Sequence, residues 1–535
     1  MSGISRIKGA IRYLRRGDLA GFWRRLKQYL KQGHAPVYGE KIRTGAGALW
    51  CIMTTPHTLF IARSIAKRLS HHGIDCDITT ASPAEFNHDF YIVLCAQMFT
   101  QLPPGNRRII LQLEQSVSSR WFDDKYLTRL KQSVAVFDYS LRNIEFLHQK
   151  HISYPHVFYL PIGQGDSAPT ATDKNAKQYD FLFYGDNRSS PRRQHMLAVL
   201  QAKYKVKIVD NLFDQDMSDL IRRARIVVNI HYYEGALLET PRIQECLSLG
   251  VPVLSESASD QDDYPELAGA VRYFTENSTD DLLLQAGQML EELEQHERHV
   301  RRAVQKSQQR FSFMLDRALV ALNLLPLDVM NTHAPYLAEN SEIVALSLPE
   351  TIIRRRQLLT GMPQDTVIFD GVRYQPGWLG CGLSFKLLAR HALQQGKHRL
   401  TIMEDDAVLP DGFDNRYRII RSYLDSRDEQ WDMFSGVMAE IDPRARILSV
   451  EEFEGETFIT LDRTMSMVFN IYNKRALEVL AAWNPHDGMS TGIRSTFICK
   501  IRMISEWLQR FPSLPDITRS WTPPYGAFTT AIIRK

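Results

Sequence analysis

Three consecutive carboxylates in the last third of the chain have the chemistry needed to hold a divalent cation. Glu404, Asp405 and Asp406 directly follow the apolar-leaning segment LTIM, which predicts a strand. Ligands of α/β sheets collect at the carboxyl ends of strands, and adjacent carboxylates repel each other unless a hard cation binds their oxygens. The triplet therefore predicts a Mg²⁺ or Mn²⁺ site that could neutralise a diphosphate leaving group. A solvated acidic turn or a helix-capping cluster is the alternative.

The residues around the triplet carry a family resemblance. The segment PGWLGCGLSFKLLARHALQQGKHRLTIMEDDAVL is similar to glycosyltransferase family 25, the lipopolysaccharide type, whose pattern is Gly-x-x-Gly-Cys, a Ser-His pair, a helix and a strand ending in Glu-Asp-Asp. One position departs, because Phe385 stands where the family has the histidine. The matching positions are Gly377, Gly380, Cys381, Ser384, Glu404, Asp405 and Asp406.

This resemblance implies a GT-A-like fold, a UDP-sugar donor, often UDP-galactose, and inversion at the anomeric carbon. It also implies a metal held by the triplet and donor-binding positions at Gly380 and Ser384. Inversion requires a general base within reach of the acceptor hydroxyl. Asp487 in NPHDGMSTG is the preferred candidate and Asp432 in WDMFSG the second. The alternative for Asp487 is an Asp-Gly turn in which the carboxylate caps its own backbone.

A second resemblance lies in the middle of the chain. DFLFYGDNRSSPRRQHMLAVL and, further on, HYYEGALLETPRIQECLSLGVPVLSE resemble the nucleotide-binding half of GT-B glycosyltransferases of the bacterial group 1 type. The resemblance implies that Glu245 accepts hydrogen bonds from the nucleotide ribose, and a carboxylate suits a diol because its two oxygens can accept both protons. In the retaining group 1 enzymes, two glutamates are separated by seven residues. Here Glu234 lies further than that from Glu245, and Glu239 lies closer. The stereochemistry of the transfer therefore stays open. A surface carboxylate is the alternative for Glu245.

Arginines near two turns of this segment predict a diphosphate site. Arg242 precedes Glu245 by one helical turn, and Gly185 begins a turn followed by several arginines. Backbone amides and guanidinium groups there could bind the two phosphates of the donor. The predicted donor-binding residues of this unit are Gly185, Arg188, Arg193, Arg242 and Glu245.

The first half of the chain offers residues for the acceptor side of a cleft. His57 opens a predicted helix directly after a strand, where it could act as an acceptor-side base or contact, or simply as a residue near a helix cap. Glu114 and Gln115 end the predicted strand RRIILQLEQ. Because the carboxyl ends of parallel strands share one edge of the sheet, we expect both residues to lie at the edge of the cleft, as His57 does.

The order of apolar runs and helical periodicities predicts how these residues are positioned. Two successive series of the β-α-β rhythm indicate two Rossmann-like units, and a third series indicates another α/β domain. The two resemblances imply that the first pair forms a GT-B fold and that the third is a GT-A-like domain. Within them we predict helices at Ser218–Ala224 and Leu383–Gln394, among others. The predicted divisions are a basic arm (1–34), an acceptor-side unit (40–170), a nucleotide-sugar unit (177–325), a linker (326–340) and a family 25-like domain (341–535).

Composition limits the functional class. Charged residues make up 24% of 535 residues and the net charge is +4, which does not favour a nucleic-acid partner. Residues 1–31 carry nine basic side chains and one acid with apolar residues at helical spacing, typical of an amphipathic helix that binds an anionic membrane or packs on its own domain. No secretory signal is evident and the six scattered cysteines lack metal-site spacing, so we expect free thiols in a cytoplasmic protein, peripheral on the inner face of the membrane if the arm binds lipid.

These patterns favour a bifunctional glycosyltransferase that adds sugars from nucleotide-sugars to a bacterial surface glycan or glycolipid, such as lipopolysaccharide or capsule. In one alternative, the GT-B module is a non-catalytic binding scaffold beside a single active GT-A transferase. In another, the triplet serves a metal-dependent nucleotidyl or phosphoryl transferase.

Overall fold

The computed structural model describes residues 42–44, 47–118, 121–163, 177–337, 341–427, 431–436, 445–462 and 467–484, and the backbone of 531–533. The basic arm 1–34 and the base candidate Asp487 lie outside the described residues, so the predictions made for them stay predictions.

The first unit is a parallel six-stranded sheet with the strand order β2-β1-β3-β4-β5-β6. Strands β3, β4 and β5 are buried along their whole length, and β3 consists of the apolar run FYIVL, the composition of a parallel sheet covered on both faces. Its strands are β1 (Ala48–Met53), β2 (Ile74–Thr79), β3 (Phe90–Leu94), β4 (Arg108–Gln112), β5 (Ala135–Asp138) and β6 (Val157–Tyr159), and its helices are α1 (Leu59–His71), α2 (Asp124–Lys131) and α3 (Leu141–Gln149).

The second unit is a parallel five-stranded sheet with the order β11-β10-β9-β7-β8. The chain is thus α/β with two successive parallel sheets, as the sequence predicts. The strands are β7 (Tyr179–Tyr184), β8 (Val206–Val209), β9 (Ala224–Asn229), β10 (Val253–Glu256) and β11 (Val271–Phe274), and the helices are α4 (Pro191–Gln201), α5 (Asp214–Arg222), α6 (Thr240–Ser248) and α7 (Thr279–Glu291).

The third unit contains a mixed eight-stranded sheet with the order β13-β12-β14-β18-β15-β19-β17-β16. The first three strands are parallel, whereas β14 pairs with β18 in the antiparallel sense. Its strands are β12 (Ile343–Ser347), β13 (Thr366–Asp370), β14 (Arg399–Glu404), β15 (Met433–Ser435), β16 (Ile447–Phe453), β17 (Glu456–Leu461), β18 (Phe469–Asn473) and β19 (Ala531–Ile533). Its helices are α9 (Ile352–Gly361), α10 (Gly377–Gln394), α11 (Phe413–Asp425) and α12 (Lys474–Ala482).

Two predicted helices have different bounds. The helix predicted at Ser218–Ala224 is α5, which begins four residues earlier because Asp214 and Asp216 in its first turn suit a helix N-terminus, and Ala224 already belongs to β9. The helix predicted from Leu383 is α10, which begins at Gly377.

A long helix joins the three units. Helix α8 (Leu293–Ala321) is buried along its carboxyl-terminal half, where its side chains share one hydrophobic core with residues of the first and third units. The segment 326–340, which the sequence suggests is a linker, contains a short 3₁₀ helix at Leu327–Thr332 whose residues Leu327 and Met330 are buried in that same core. The first and third units are therefore packed together.

Side chains from the third unit complete the outer edge of the first sheet. The backbone N–H of Tyr159 in β6 donates to Glu350 at 3.0 Å, and Arg373 donates to the carbonyl of Val157 at 2.9 Å. Arg317 on α8 holds Glu350 through two bonds of 2.7 and 2.9 Å, and both side chains are fully buried. These charged groups provide the partners that an exposed edge strand would lack.

The described cysteines agree with the sequence prediction of free thiols. Cys51, Cys95 and Cys246 are buried, and Cys76 and Cys381 are half-buried. Among the described residues, no helix is both long and apolar enough to span a bilayer.

Candidate functional site

A cavity of about 310 Å³ lies between the first two sheets, at the carboxyl ends of their strands. It brings together candidates that the sequence placed on separate elements, as expected where the strand ends of two parallel sheets face each other. The first unit contributes His57, Glu114 and Gln115, and the second contributes Gly185, Arg242 and Glu245.

The start of helix α6 orients Arg242. Pro241 in the first turn suits a helix N-terminus, and Arg242 follows it. The Arg242 guanidinium donates to Asn229 Oδ1 at 2.8 Å and lies 3.1 Å from Glu239 Oε2, with its plane over the Tyr184 ring at 5.0 Å. Arg242 is thus held in place while it lines the cavity.

Glu245 lies one turn further along α6 and also faces the cavity. The Tyr184 hydroxyl donates to Glu245 Oε2 at 3.1 Å and fixes the direction of the carboxylate. Burial raises the pKa of Glu245, and the bond from Tyr184 and the charge of Arg242 only partly oppose this. A partly desolvated carboxylate is a strong acceptor for hydroxyl groups, such as those of a ribose diol.

The turn after β7 requires a glycine. Gly185 has φ +130°, and a Cβ at this position would lie 3.2 Å from Nη2 of Arg242. The missing side chain lets the backbone approach the guanidinium at the edge of the cavity.

Two guanidinium groups and an imidazole surround Glu239, which lines the second unit's half of the cavity. Glu239 lies 3.1 Å from Arg242, 3.6 Å from Arg193 and 3.7 Å from His231 Nδ1. Burial alone would raise the pKa of Glu239, but Arg242, His231 and Arg193 lower it to about 2. Two guanidinium groups against one carboxylate, beside the N-terminus of α6, leave positive charge for an anionic group such as a diphosphate.

The other predicted arginines do not line this cavity. Arg193 is buried and donates to the carbonyls of Ile230 at 2.9 Å and Asp186 at 2.8 Å, so it holds the turn in shape. The side chain of Arg188 is 83% exposed and pairs with Asp210 at 3.2 Å. Arg242 is the predicted arginine that lines the cavity.

The opposite wall comes from the first unit. His57 is exposed to the cavity, with Nε2 3.4 Å from Thr55 Oγ1 and 3.8 Å from Cys95 Sγ. Desolvation lowers the pKa of His57, which favours a neutral imidazole that can accept a proton. Glu114 accepts a bond of 2.6 Å from Gln97, and Gln115 accepts one of 3.0 Å from the backbone N–H of Leu237 across the cleft.

The carboxylate triplet of the third unit has a cationic neighbour of its own. The Arg354 guanidinium contacts Asp405 and lies 3.0 Å from Asp406. Asp405 also accepts a bond of 2.9 Å from Ser347, and Glu404 one of 3.4 Å from Cys381. Burial, followed by the charge of Asp406, raises the pKa of Glu404 to about 7.

A divalent cation does not fit the triplet in this conformation. Among the described residues, no group of three or more His, Cys, Asp or Glu side chains is arranged to hold a metal ion. The Mg²⁺ or Mn²⁺ site predicted at Glu404, Asp405 and Asp406 is therefore not formed in this arrangement of the side chains.

The remaining predicted residues of the third unit have structural contacts. Ser384 accepts a bond of 2.8 Å from the N–H of Val372 and donates one of 2.7 Å to Gly380, while a Cβ on Gly380 would lie 2.5 Å from the Val372 carbonyl. These two residues thus fix the loop before α10. Asp432 pairs with Arg475 and precedes β15, and its carbonyl accepts a bond from Asn473 of β18. Asn473 lies opposite Arg399, the first residue of β14, whereas Glu404 ends β14. The structure does not bring Asp432 together with the triplet.

Three residues of these sites were not predicted from the sequence. Tyr184 and Asn229 end the strands β7 and β9 and orient Glu245 and Arg242. A polar side chain at the end of an apolar strand is the signal that could have indicated both. Arg354 belongs to a run of three arginines whose sequence does not show which carboxylate each one contacts.

Comparisons with known proteins bear on the second unit. Residues 170–315 match the family described as glycosyl transferase-like. This region contains β7 to β11 and most of α8, and therefore Arg242 and Glu245. No sequence among the curated proteins matches the chain.

Several solved structures are similar to about half of the chain. They include sucrose-phosphate synthase from Thermosynechococcus elongatus, with 11% identity, 53% of this chain and 100% of that chain covered, and a TM-score of 0.38. HepE from Anabaena in complex with UDP and glucose has 13% identity, 49% and 95% coverage and a TM-score of 0.35. WaaG, a glycosyltransferase involved in lipopolysaccharide biosynthesis, has 11% identity, 51% and 99% coverage and a TM-score of 0.35.

Proposed function

We propose that the cleft between the first two sheets binds a nucleotide-sugar and transfers its sugar to an acceptor hydroxyl, as in GT-B glycosyltransferases. The observation that carries this proposal is the shared cavity, in which the oriented Glu245 and Arg242 face His57 and Glu114. The match of residues 170–315 to a glycosyl transferase-like family supports it independently.

The second unit would hold the nucleotide. Glu245 accepts hydrogen bonds from the ribose hydroxyls, and Arg242 with the N-terminus of α6 binds the diphosphate. Gly185 allows the backbone near the phosphates to approach Arg242. We propose UDP as the nucleotide of this cleft as well, although the sequence resemblance that implies a UDP-sugar is that of the third unit.

The first unit would hold the acceptor. The acceptor oxygen attacks the anomeric carbon, the bond from that carbon to the diphosphate oxygen breaks, and the nucleoside diphosphate leaves with the bonding electrons. The acceptor proton moves to a base, for which we propose the neutral imidazole of His57. The positive charge around Arg242 stabilises the departing diphosphate.

The proposal extends to the acceptor and to the place in the cell where transfer occurs. We propose a bacterial surface glycan or glycolipid, such as lipopolysaccharide or capsule precursors, reached from the cytoplasmic face. The nine basic side chains in residues 1–31 support contact with anionic lipid.

The third unit remains the proposed site of a second transfer, on the family 25 resemblance. The contacts of Arg354 with the triplet do not favour the metal-dependent form of that proposal, nor a metal-dependent phosphoryl transferase. If the GT-B cleft is catalytic, substitutions in the cleft abolish sugar transfer. If it is a non-catalytic scaffold, the same substitutions leave transfer intact.

The decisive experiment measures UDP binding by isothermal titration calorimetry to the full chain and to Glu245→Gln. Losing charge-assisted bonds costs about 1.5–3 kcal/mol, so we expect the Kd to rise by about tenfold or more. Glu234→Gln is the matched control because Glu234 is exposed and does not line the cavity. Equal affinities for the native chain and Glu245→Gln, or no binding of UDP, GDP, CDP or ADP by the native chain, would contradict the proposal.

A further inference from the structure

The third unit holds a cation of its own at its carboxylate triplet. Arg354 lies in the first turns of α9, which follows β12, and its guanidinium reaches across to the end of β14. One nitrogen, Nη2, contacts both Asp405 Oδ1 and Asp406 Oδ2. This places a fixed positive charge between two of the three carboxylates.

The contacts of the triplet occupy most of its oxygen atoms. Asp405 Oδ2 accepts from Ser347, and Glu404 Oε1 accepts from Cys381. With the two contacts of Arg354, four of the six carboxylate oxygens have partners. A divalent cation needs six or more oxygen ligands, of which several would come from these carboxylates, so it competes with these bonds.

The neighbouring arginines have other carboxylate partners. Arg355 donates to Asp370 at 2.7 Å, and Arg356 pairs with Glu145 on α3 of the first unit. Of the three consecutive arginines, Arg354 is thus the one whose guanidinium contacts carboxylates of the triplet.

We propose that Arg354 is the resident counter-ion of Asp405 and Asp406, and that the triplet does not take a divalent cation while this guanidinium is in place. The Asp405 side chain is 7% exposed, so the guanidinium compensates the charge of a largely buried carboxylate. This inference concerns the third unit and does not depend on nucleotide binding in the cleft.

The test measures Mn²⁺ binding to the full chain. The electron paramagnetic resonance signal of the free ion reports how much Mn²⁺ remains unbound. Because the guanidinium competes with a cation for these carboxylate oxygens, we expect Arg354→Gln to bind Mn²⁺ at least about tenfold more tightly than the native chain. Arg356→Gln removes the same charge two positions away, at a 62% exposed side chain that pairs with Glu145, and should bind Mn²⁺ like the native chain.

A second substitution locates the binding. In Arg354→Gln/Asp406→Asn the gain in Mn²⁺ affinity should disappear, because the freed carboxylate is gone. If Arg354→Gln does not fold, Arg354→Met provides the comparison, since it keeps a long side chain without the charge and should raise the affinity as well. Affinity in Arg354→Gln, or in that case Arg354→Met, equal to that of Arg356→Gln would overturn the proposal. Tight binding by the native chain would overturn it too.

Discussion

At the scale of single residues, the cleft depends on one backbone position. We expect Gly185→Ala to weaken UDP binding, because φ +130° is strained for alanine and the new Cβ would lie 3.2 Å from Nη2 of Arg242. The strain should also lower the free energy of unfolding by about 1–3 kcal/mol. Calorimetry with UDP and chemical denaturation measure the two effects.

Gly235→Ala separates strain from contact in this experiment. Gly235 also has a positive φ, +66°, but a Cβ there meets nothing within 4 Å. We expect it to lose stability and keep its UDP affinity. If both variants bound UDP equally, the proximity of Gly185 to Arg242 would be irrelevant to the nucleotide.

The sequence predicted residues that line the cleft better than the residues that support them. Glu245 was identified from the GT-B resemblance, Arg242 from its spacing to Glu245 on one helix, and His57 from its place after a strand. Arg188 and Arg193 have the same type and suitable spacing, yet one faces solvent and the other holds carbonyl groups. Which face of a turn a long side chain occupies depends on packing against other elements.

At the scale of elements, one ion pair joins two helices across the cleft. Arg63 on α1 donates to both carboxylate oxygens of Asp214 on α5, at 2.5 and 2.9 Å. The side chains are 56% and 41% exposed, so we expect Arg63→Gln to change the free energy of unfolding by less than about 1 kcal/mol. Because the pair opposes separation of the units, association and dissociation of UDP should both become faster while the Kd changes little.

Stopped-flow measurements of UDP binding test this prediction. Arg222→Gln is the control, since Arg222 pairs with Asp219 within α5 and not across the cleft. Unchanged rates in Arg63→Gln would show that the pair does not limit opening.

Elements were predictable to the extent that their signals are local. Buried parallel strands appear as continuous apolar runs, and these were found in all three units. The start of α5 was missed because its first turn is acidic and polar, and its apolar stripe begins only at Met217. The 3₁₀ helix at Leu327–Thr332 has too few turns to show a period.

At the scale of the whole molecule, a buried pair couples the units. Although burial alone would raise the pKa of Glu350, Arg317 lowers it from 4.5 to about 2. This stabilisation is fully present above about pH 4.5 and is lost as the pH falls towards 2. Glu350→Gln leaves Arg317 buried without its partner, so we expect a loss of about 3–5 kcal/mol near pH 6 that narrows below pH 4.5.

Urea denaturation between pH 2 and pH 6 measures this difference. Glu342→Gln is a suitable control, because Glu342 is 61% exposed and pairs with Arg421 at the surface. A difference between the native chain and Glu350→Gln that stayed constant over this pH range would contradict the pKa assigned to Glu350. No sequence pattern indicated this pair, because it forms only when α8 and the third unit pack together.

The edge strand β6 also has a consequence for synthesis. The carbonyl of Val157 and its partner Arg373 are 216 residues apart, so the first sheet leaves the ribosome long before its cover exists. At elongation rates of about 5–20 residues per second, this edge stays uncovered for about 10–40 s. During that interval, nascent chains on one polysome could pair edge to edge, and a chaperone that shields β6 would raise the yield of folded protein.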